Sequence, residues 1–347
     1  VSTSHRINAF DALRLLGALL VILGHGFILS GHLDELPVVG GLAVNVMGVV
    51  IFFTISGYLI WKSWYSSSSW QSFTAARFLR IVPALAVVVL LTALVMGPLV
   101  TALAPGDYFS QGETWRYLTN IVIVDPQYQL PGVFGSQPVS DAVNGSLWTL
   151  RAELLCYVAV PVTALLPRAW RKFVLAPVGI WLIWFGLTSS VFVLDSNLTM
   201  AGFYWGFFAL GAFAAEIKFR PRFAPVIAIA LAAAWLLLTS STAPLLDVAG
   251  LICFAGVVMT VGLMNIPVIR DAAKFGDLSY GIYLLAFPIQ QLAFLFLPGL
   301  TIWQSMGLVT VVSAALAVAL WWTIEARALR AKPALAGWLR RVTSRPV

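Results

Sequence analysis

Apolar residues recur along nearly the whole chain in windows of about 20, the length that crosses the hydrocarbon core of a bilayer as an α-helix. Ten windows stand out, at 10–31, 43–63, 79–103, 146–167, 173–194, 199–217, 223–241, 247–265, 278–297 and 302–324. They predict an all-α, polytopic transmembrane helix bundle. No domain boundary or repeat interrupts the series, so residues 1–347 read as a single integral membrane domain with a short basic tail from about 326. Most connections are short. The exception, about 104–145, is rich in Pro, Gly, Asp, Gln and aromatic residues, and Glu113–Val124 within it suits a short helix at the interface. Long ordered loops of this kind are commonly functional.

Composition agrees with the pattern. Hydrophobic residues make up 60% of the chain and charged residues 10%, where a soluble domain carries roughly a quarter charged. The charges are also sorted. Lys62, Arg77, Arg80, Arg168, Arg171, Lys172, Lys218, Arg220, Arg222, Arg270, Lys274 and the tail from Arg327 to Arg345 fall on one side of the predicted spans. Asp34, Glu35, Asp107, Glu113, Asp125, Asp141, Asp195 and Asp247 fall on the other, with Arg116. The positive-inside rule then gives N-in, C-in topology in a plasma (bacterial inner) membrane. The net charge of +7 reports that topology and contact with anionic lipid, and nucleic acid is not implied. The first window is too long for a signal peptide and carries Asp11 and Arg14, so it reads as a helix. Cys156 and Cys253 lie in different windows and read as inert buried thiols. Sequons at Asn144 and Asn197 lie near the outer surface and matter only where the host glycosylates. No cluster has metal-ligand spacing.

Ionisable residues inside spans are expensive and usually face a protein interior or a watery path. In the first window Asp11, Arg14 and His25 share one helical face. Arg14 and His25 are eleven residues apart, roughly 16 Å along a helix. The fourth window carries Arg151 and Glu153, at a depth similar to His25 when both are counted from the outer side. Arg77 and Arg80 enter the third window near the depth of Arg14. Three guanidiniums there would suit phosphates, and ordinary positive-inside anchoring would account for Arg77 and Arg80 equally.

Several segments resemble membrane acyltransferase family 3, whose members O-acylate cell-surface glycans, lipids and secreted metabolites. "DALRLLGALLVILGH" is similar to its Arg-x10-His signature, "GVVIFFTISGYLI" to its second-span segment, and "RFLRIVPAL" to its Arg-rich entry to the third span. "SLWTLRAELLCY" and "GDLSYGIYLLAFPI" resemble two further segments, and Glu325 in "WWTIEARAL" stands where the family often has a terminal Glu. The matches follow in order over nearly all ten windows. The chain departs from the family at Ala286, where a histidine is common, which leaves His25 as the histidine within a span. The resemblance implies that acyl-CoA, acetyl-CoA by default, approaches from the cytoplasm with its phosphates held by Arg14, Arg77 and Arg80, Asp11 lying on the face of Arg14; Tyr280 and Tyr283 would line the donor entrance, although packing alone accounts for them better. His25 would be the general base toward an acceptor hydroxyl, Glu153 would orient or stabilise its imidazolium, and Arg151 would assist the acceptor or oxyanion. An envelope glycan, glycolipid or lipid-linked sugar is the implied acceptor, and no metal takes part. Two other readings use the same residues. A proton-coupled transporter or flippase would employ them as a relay, although paired broken helices in inverted repeats are not evident in the sequence. A scaffold would use them as packing ion pairs.

Overall fold

The computed structural model describes residues 9–140, 142–189, 192–193, 196–240, 243–267 and 276–343. Of the charges used above to assign sidedness, Asp141, Asp195, Arg270, Lys274 and Arg345 lie outside the described residues. The chain is helical throughout, apart from two hairpins of two-residue strands. In the first hairpin Val38 pairs with Ala43 and Val39 with Leu42. Its two-residue turn is Gly40-Gly41, at φ 53° and 73°, the left-handed geometry that a tight hairpin turn requires and glycine supplies without strain.

Eight helices among the described residues are long and apolar enough to cross a membrane. We number the principal helices α1 (Phe10–Leu29), α2 (Val44–Ser66), α3 (Trp70–Leu91), α4 (Trp148–Ala164), α5 (Arg168–Thr188), α6 (Leu198–Glu216), α7 (Ala224–Leu238), α8 (Pro244–Gly262), α9 (Ser279–Phe296), α10 (Ile302–Leu320) and α11 (Lys332–Thr343). The first ten fall on the ten expected windows. Two of the ten, α6 and α7, are not among those eight, and the seventh window yields only the 15 residues of α7, short of the roughly 20 that a perpendicular span needs. The basic tail is helical as well: α10 continues through a π turn, Trp321–Glu325, to Arg330, and α11 follows and packs along α3. The short helix expected over Glu113–Val124 is present as a helical turn, Gly112–Arg116, leading into a 3-10 segment, Tyr117–Val122.

The chain forms two compact units. The first comprises α1 as far as Gly24, Leu36–Tyr65 and the helices α4 from Ala152 through α8. With little hydrophobic drive available between helices in lipid, small residues that let backbones touch are what hold such helices together. A Cβ on Gly48 would lie 2.4 Å from the Gly17 carbonyl oxygen where α2 crosses α1. Where α2 crosses α6, a Cβ on Gly57 would lie 2.0 Å from the Phe208 carbonyl and one on Gly211 2.0 Å from that of Thr54.

The second unit comprises His25–Glu35, Ser66–Arg151 and the described chain from Gly276 on. Its α3 begins at Ser69, whose side chain accepts from the Ser72 amide, and extends through a π turn, Thr92–Met96, to Val100. The extra residue of a π turn frees backbone groups from the helical ladder. Here the Tyr108 hydroxyl donates to the Ala93 carbonyl at 2.8 Å, in space available because residue 97 is glycine. Tyr108 is fully buried, and burial pushes its phenol up to about 12.

Candidate active site

His25 occupies the second-last turn of α1, in the second unit. Its ring meets Phe287 of α9 edge-on, with centroids 5.0 Å apart and an interplanar angle of 77°. The ring is half-buried, and its Nδ1 is buried with no hydrogen-bond partner among the described residues. A packing histidine would have that nitrogen satisfied, because a buried polar atom without a partner costs about 1–3 kcal/mol. Helix α1 approaches closely at this level, since a Cβ on Gly26 would lie 3.0 Å from Ile302 and 3.2 Å from the Gln290 amide nitrogen.

The end of the long loop closes over the same part of α9. Gln291 donates through Nε2 to the carbonyls of Val139 at 2.7 Å and Ala142 at 3.0 Å. Asn144 donates to the Leu284 carbonyl at 2.9 Å and also caps the 3-10 turn that opens α4. Phe287 joins Leu29 and Phe294 in an apolar cluster on which Val139 and Ala142 pack, and Gly145 lies directly on its ring. Ser146 Oγ and Gln291 Oε1 are likewise buried without a partner. Three unsatisfied polar atoms, His25 Nδ1, Ser146 Oγ and Gln291 Oε1, thus belong to residues on or beside those that enclose Phe287. Native interiors leave few such atoms, and a polar ligand would satisfy them. The sequence alone did not single out Ser146 or Gln291, polar residues at the edges of apolar runs, or Phe287, one apolar residue among many in such a run.

Arg151, half-buried on α4, acts on Tyr128 of the loop: burial raises the Tyr128 phenol, the Arg151 charge lowers it and Asp125 raises it. Tyr283 is buried, its hydroxyl 2.6 Å from Thr149 Oγ1 and 3.3 Å from the Ser146 carbonyl, to which it donates. It therefore braces the start of α4. Tyr280 donates to the Ile81 carbonyl at 3.0 Å. Both hydroxyls bond inside the unit, a bracing arrangement in keeping with packing, the better of the two roles the sequence offered for them.

Arg80, expected among the phosphate ligands, lies in a cluster of carboxylates and aromatic rings. Its guanidinium bonds Asp277 at 2.6 Å and Glu325 at 2.5 Å and lies over the rings of Tyr280 and Trp321, at 5.4 and 5.8 Å. Two carboxylates already face this one cation. Glu325 reaches it from the π turn of α10, and Asp277 is steadied by Ser279 Oγ, which donates to it at 2.6 Å. Arg77, one turn earlier on α3, is half-buried.

The remaining expected residues belong to the first unit. Asp11 and Arg14 lie in the first two turns of α1 and are half-buried. Glu153 accepts two hydrogen bonds on Oε1, from Ser56 Oγ at 3.0 Å and from Tyr157 Oη at 2.5 Å. Next to it, the Trp205 indole donates to the Ala152 carbonyl at 3.0 Å. The carboxylate is thus fixed by α2 and by its own helix. Ser56, whose role the sequence did not disclose, comes from the "FFTISGYLI" segment. Among the described residues no group of three or more His, Cys, Asp or Glu could hold a metal ion.

A multi-pass helical membrane protein with an unsatisfied histidine and a fixed carboxylate inside its spans belongs among intramembrane enzymes and transporters. Comparison with known proteins narrows the class. The model of an acyltransferase domain, acyltransferase family 3, matches residues 7–326, and the chain belongs to that family. Among curated proteins it is similar to an O-acetyl transferase of Shigella phage Sf6, 36% identical over 159 residues, which is 46% of each chain. It is also similar to Nodulation protein 10 of Rhizobium leguminosarum bv. viciae, 33% identical over 201 residues and 52% of each chain. A Regulator of hypoxia-inducible factor 1 from Caenorhabditis elegans is 26% identical over 185 residues, 46% of this chain and 34% of the relative. The alignments thus span about half the length of the first two relatives, or less in the third. No solved structure matches the chain.

Proposed function

We propose that the protein is an acyl-CoA-dependent O-acyltransferase of the bacterial inner membrane. It would move a short acyl group, acetyl by default, from cytoplasmic acyl-CoA to a hydroxyl of an extracytoplasmic glycan or glycolipid. Membership of the acyltransferase family and the O-acetyl transferase among its relatives support the reaction class. The observation that carries the mechanism is the unsatisfied Nδ1 of His25 inside a membrane-spanning helix. A neutral imidazole there is available as a general base.

In the proposed reaction the acceptor oxygen attacks the thioester carbonyl while its proton passes to the His25 imidazole. The tetrahedral intermediate then collapses, the C–S bond breaks, and the imidazolium returns the proton to the departing CoA sulfur. Arg14, with Asp11 on the same face, and Arg77 are the candidates for the donor phosphates. Arg80, engaged by Asp277 and Glu325, shapes the wall of its own unit. Ser146 and Gln291 offer polar atoms to the acceptor hydroxyl, and Arg151 stabilises charge developing on the carbonyl oxygen. Glu153 is retained as the candidate for steadying the imidazolium, and within its own unit Ser56 and Tyr157 keep it in one rotamer.

The test uses the full chain in nanodiscs with radiolabelled acetyl-CoA and an envelope-lipid extract. The proposal expects label in an extractable glycan or glycolipid and an equal amount of free CoA thiol. Proton-coupled uptake with no covalent product would favour the transporter reading instead.

A further inference from the structure

The proposed reaction leaves one cavity unused. It has a volume of 290 Å³ and lies wholly within the first unit, among α2, α4, α5 and α6. Apart from Thr163 and the Cys156 thiol, aliphatic and aromatic side chains line it. The lining runs from Thr163 back to Leu155 on α4 and from Val174 to Leu182 on α5, about 12 Å at the helical rise. It is therefore a slot rather than a bowl. Leu155 and Val178 in its wall are 47% and 42% exposed on helices long and apolar enough to cross a membrane, so an opening between them points toward lipid.

One end of the slot is charged. Within a turn of Trp61, Thr163, Val174 and Ala212, which line that end, lie Tyr65, Ala164, Arg171 and Glu216. Arg171 bonds the Ala164 and Leu166 carbonyls at 2.7 and 2.9 Å and lies over the Tyr65 ring at 5.2 Å. Arg168 and Lys172 are exposed beside it, and Lys62 follows Trp61. The one acid, Glu216, accepts from the Trp61 indole at 2.9 Å. Four cations against one carboxylate make this end a site for negative charge at the level where the slot meets the membrane surface. A dry slot open to lipid, ending under a basic rim, has the chemistry of an anionic phospholipid: one chain inside, the phosphate at the rim.

We propose that the first unit binds one anionic phospholipid, with an acyl chain in the slot and its phosphate on Arg168, Arg171 and Lys172. The site does not depend on the acyl-transfer reading.

Native mass spectrometry of the full chain in detergent, titrated with dioleoyl-phosphatidylglycerol or dioleoyl-phosphatidylcholine, tests it. One phosphatidylglycerol adduct should be retained about fivefold more strongly than phosphatidylcholine, and Arg171→Gln should remove most of that preference. Ala212→Phe fills the slot and should abolish the adduct. Val178→Phe, which narrows the slot from the lipid side, should do the same if Ala212→Phe does not fold. Equal retention of the two lipids by wild type would overturn the assignment of charge. An unchanged adduct in whichever slot variant folds would overturn the slot. One-for-one displacement by palmitoyl-CoA but not by free CoA would make this an acyl-donor pocket and overturn the proposal as a phospholipid site.

Discussion

Substitutions at Arg80 and Glu325 should produce unequal losses of stability, and the inequality follows from the geometry. The Glu325 side chain is 2% exposed, Arg80 15% and Asp277 20%, with Arg80 between the two acids. Removing one member of a buried ion pair costs about 3–5 kcal/mol, because the charge left behind keeps its desolvation penalty. Arg80→Met takes this cation from both carboxylates and should incur that full cost. Glu325→Gln keeps the shape and leaves Arg80 bonded to Asp277, so only a charge-assisted bond is weakened, at about 1–2 kcal/mol. In the double variant Arg80→Met/Glu325→Leu the more buried acid is gone, and stability should recover part of what Arg80→Met lost. At about 2 °C per kcal/mol for a chain larger than 150 residues, Arg80→Met should lower the apparent melting temperature by about 6–10 °C and Glu325→Gln by about 2–4 °C. Nanoscale differential scanning fluorimetry in detergent reads both. Equal losses for the two single variants, or a double variant as unstable as their sum, would refute the reasoning and leave Arg80 open as a phosphate ligand.

Three further outcomes are expected. Gly57→Ala places a Cβ 2.0 Å from the Phe208 carbonyl and should cost about 1–3 kcal/mol by overpacking, whereas Gly106→Ala, with nothing within 4 Å, should leave melting unchanged. Tyr108 keeps its proton up to about 12 when folded but loses it near 10 when unfolded; stability should therefore fall as pH rises from 10 toward 12, and Tyr108→Phe should flatten that fall in a melting series over the same range. Gln291→Leu removes both bonds to the loop carbonyls, so limited proteolysis should cut residues 136–143 faster than in wild type.

The spans were legible because hydrophobic length is a one-dimensional property of the chain. The short α7 was harder: its window was drawn to 241, but the apolar run and the helix both end at Leu238, before Thr239 and Ser240. The π turns at Thr92–Met96 and Trp321–Glu325 carry no compositional mark, because the extra residue in a π turn can be of any ordinary type. Side-chain partners were least legible of all. Arg80 finds Asp277 and Glu325 at separations of 197 and 245 residues, and Glu153 finds Ser56 at 97. No local spacing encodes such pairings. Tyr280 and Tyr283 were correctly placed on a helix, but their hydroxyls turn to Ile81 and Thr149, carbonyl and hydroxyl groups that only the tertiary fold supplies. His25 was visible because one imidazole in an apolar run stands out at any register.

The most direct test of His25 as base separates chemistry from donor binding. Acetyl-CoA affinity and single-turnover acetyl transfer would be measured for wild type, His25→Ala and Arg14→Ala in nanodiscs. His25→Ala should bind acetyl-CoA as wild type does but lose transfer by about 10²–10⁴-fold, the contribution of general base catalysis, while Arg14→Ala should weaken binding. Full transfer by His25→Ala would contradict His25 as base, whatever the family.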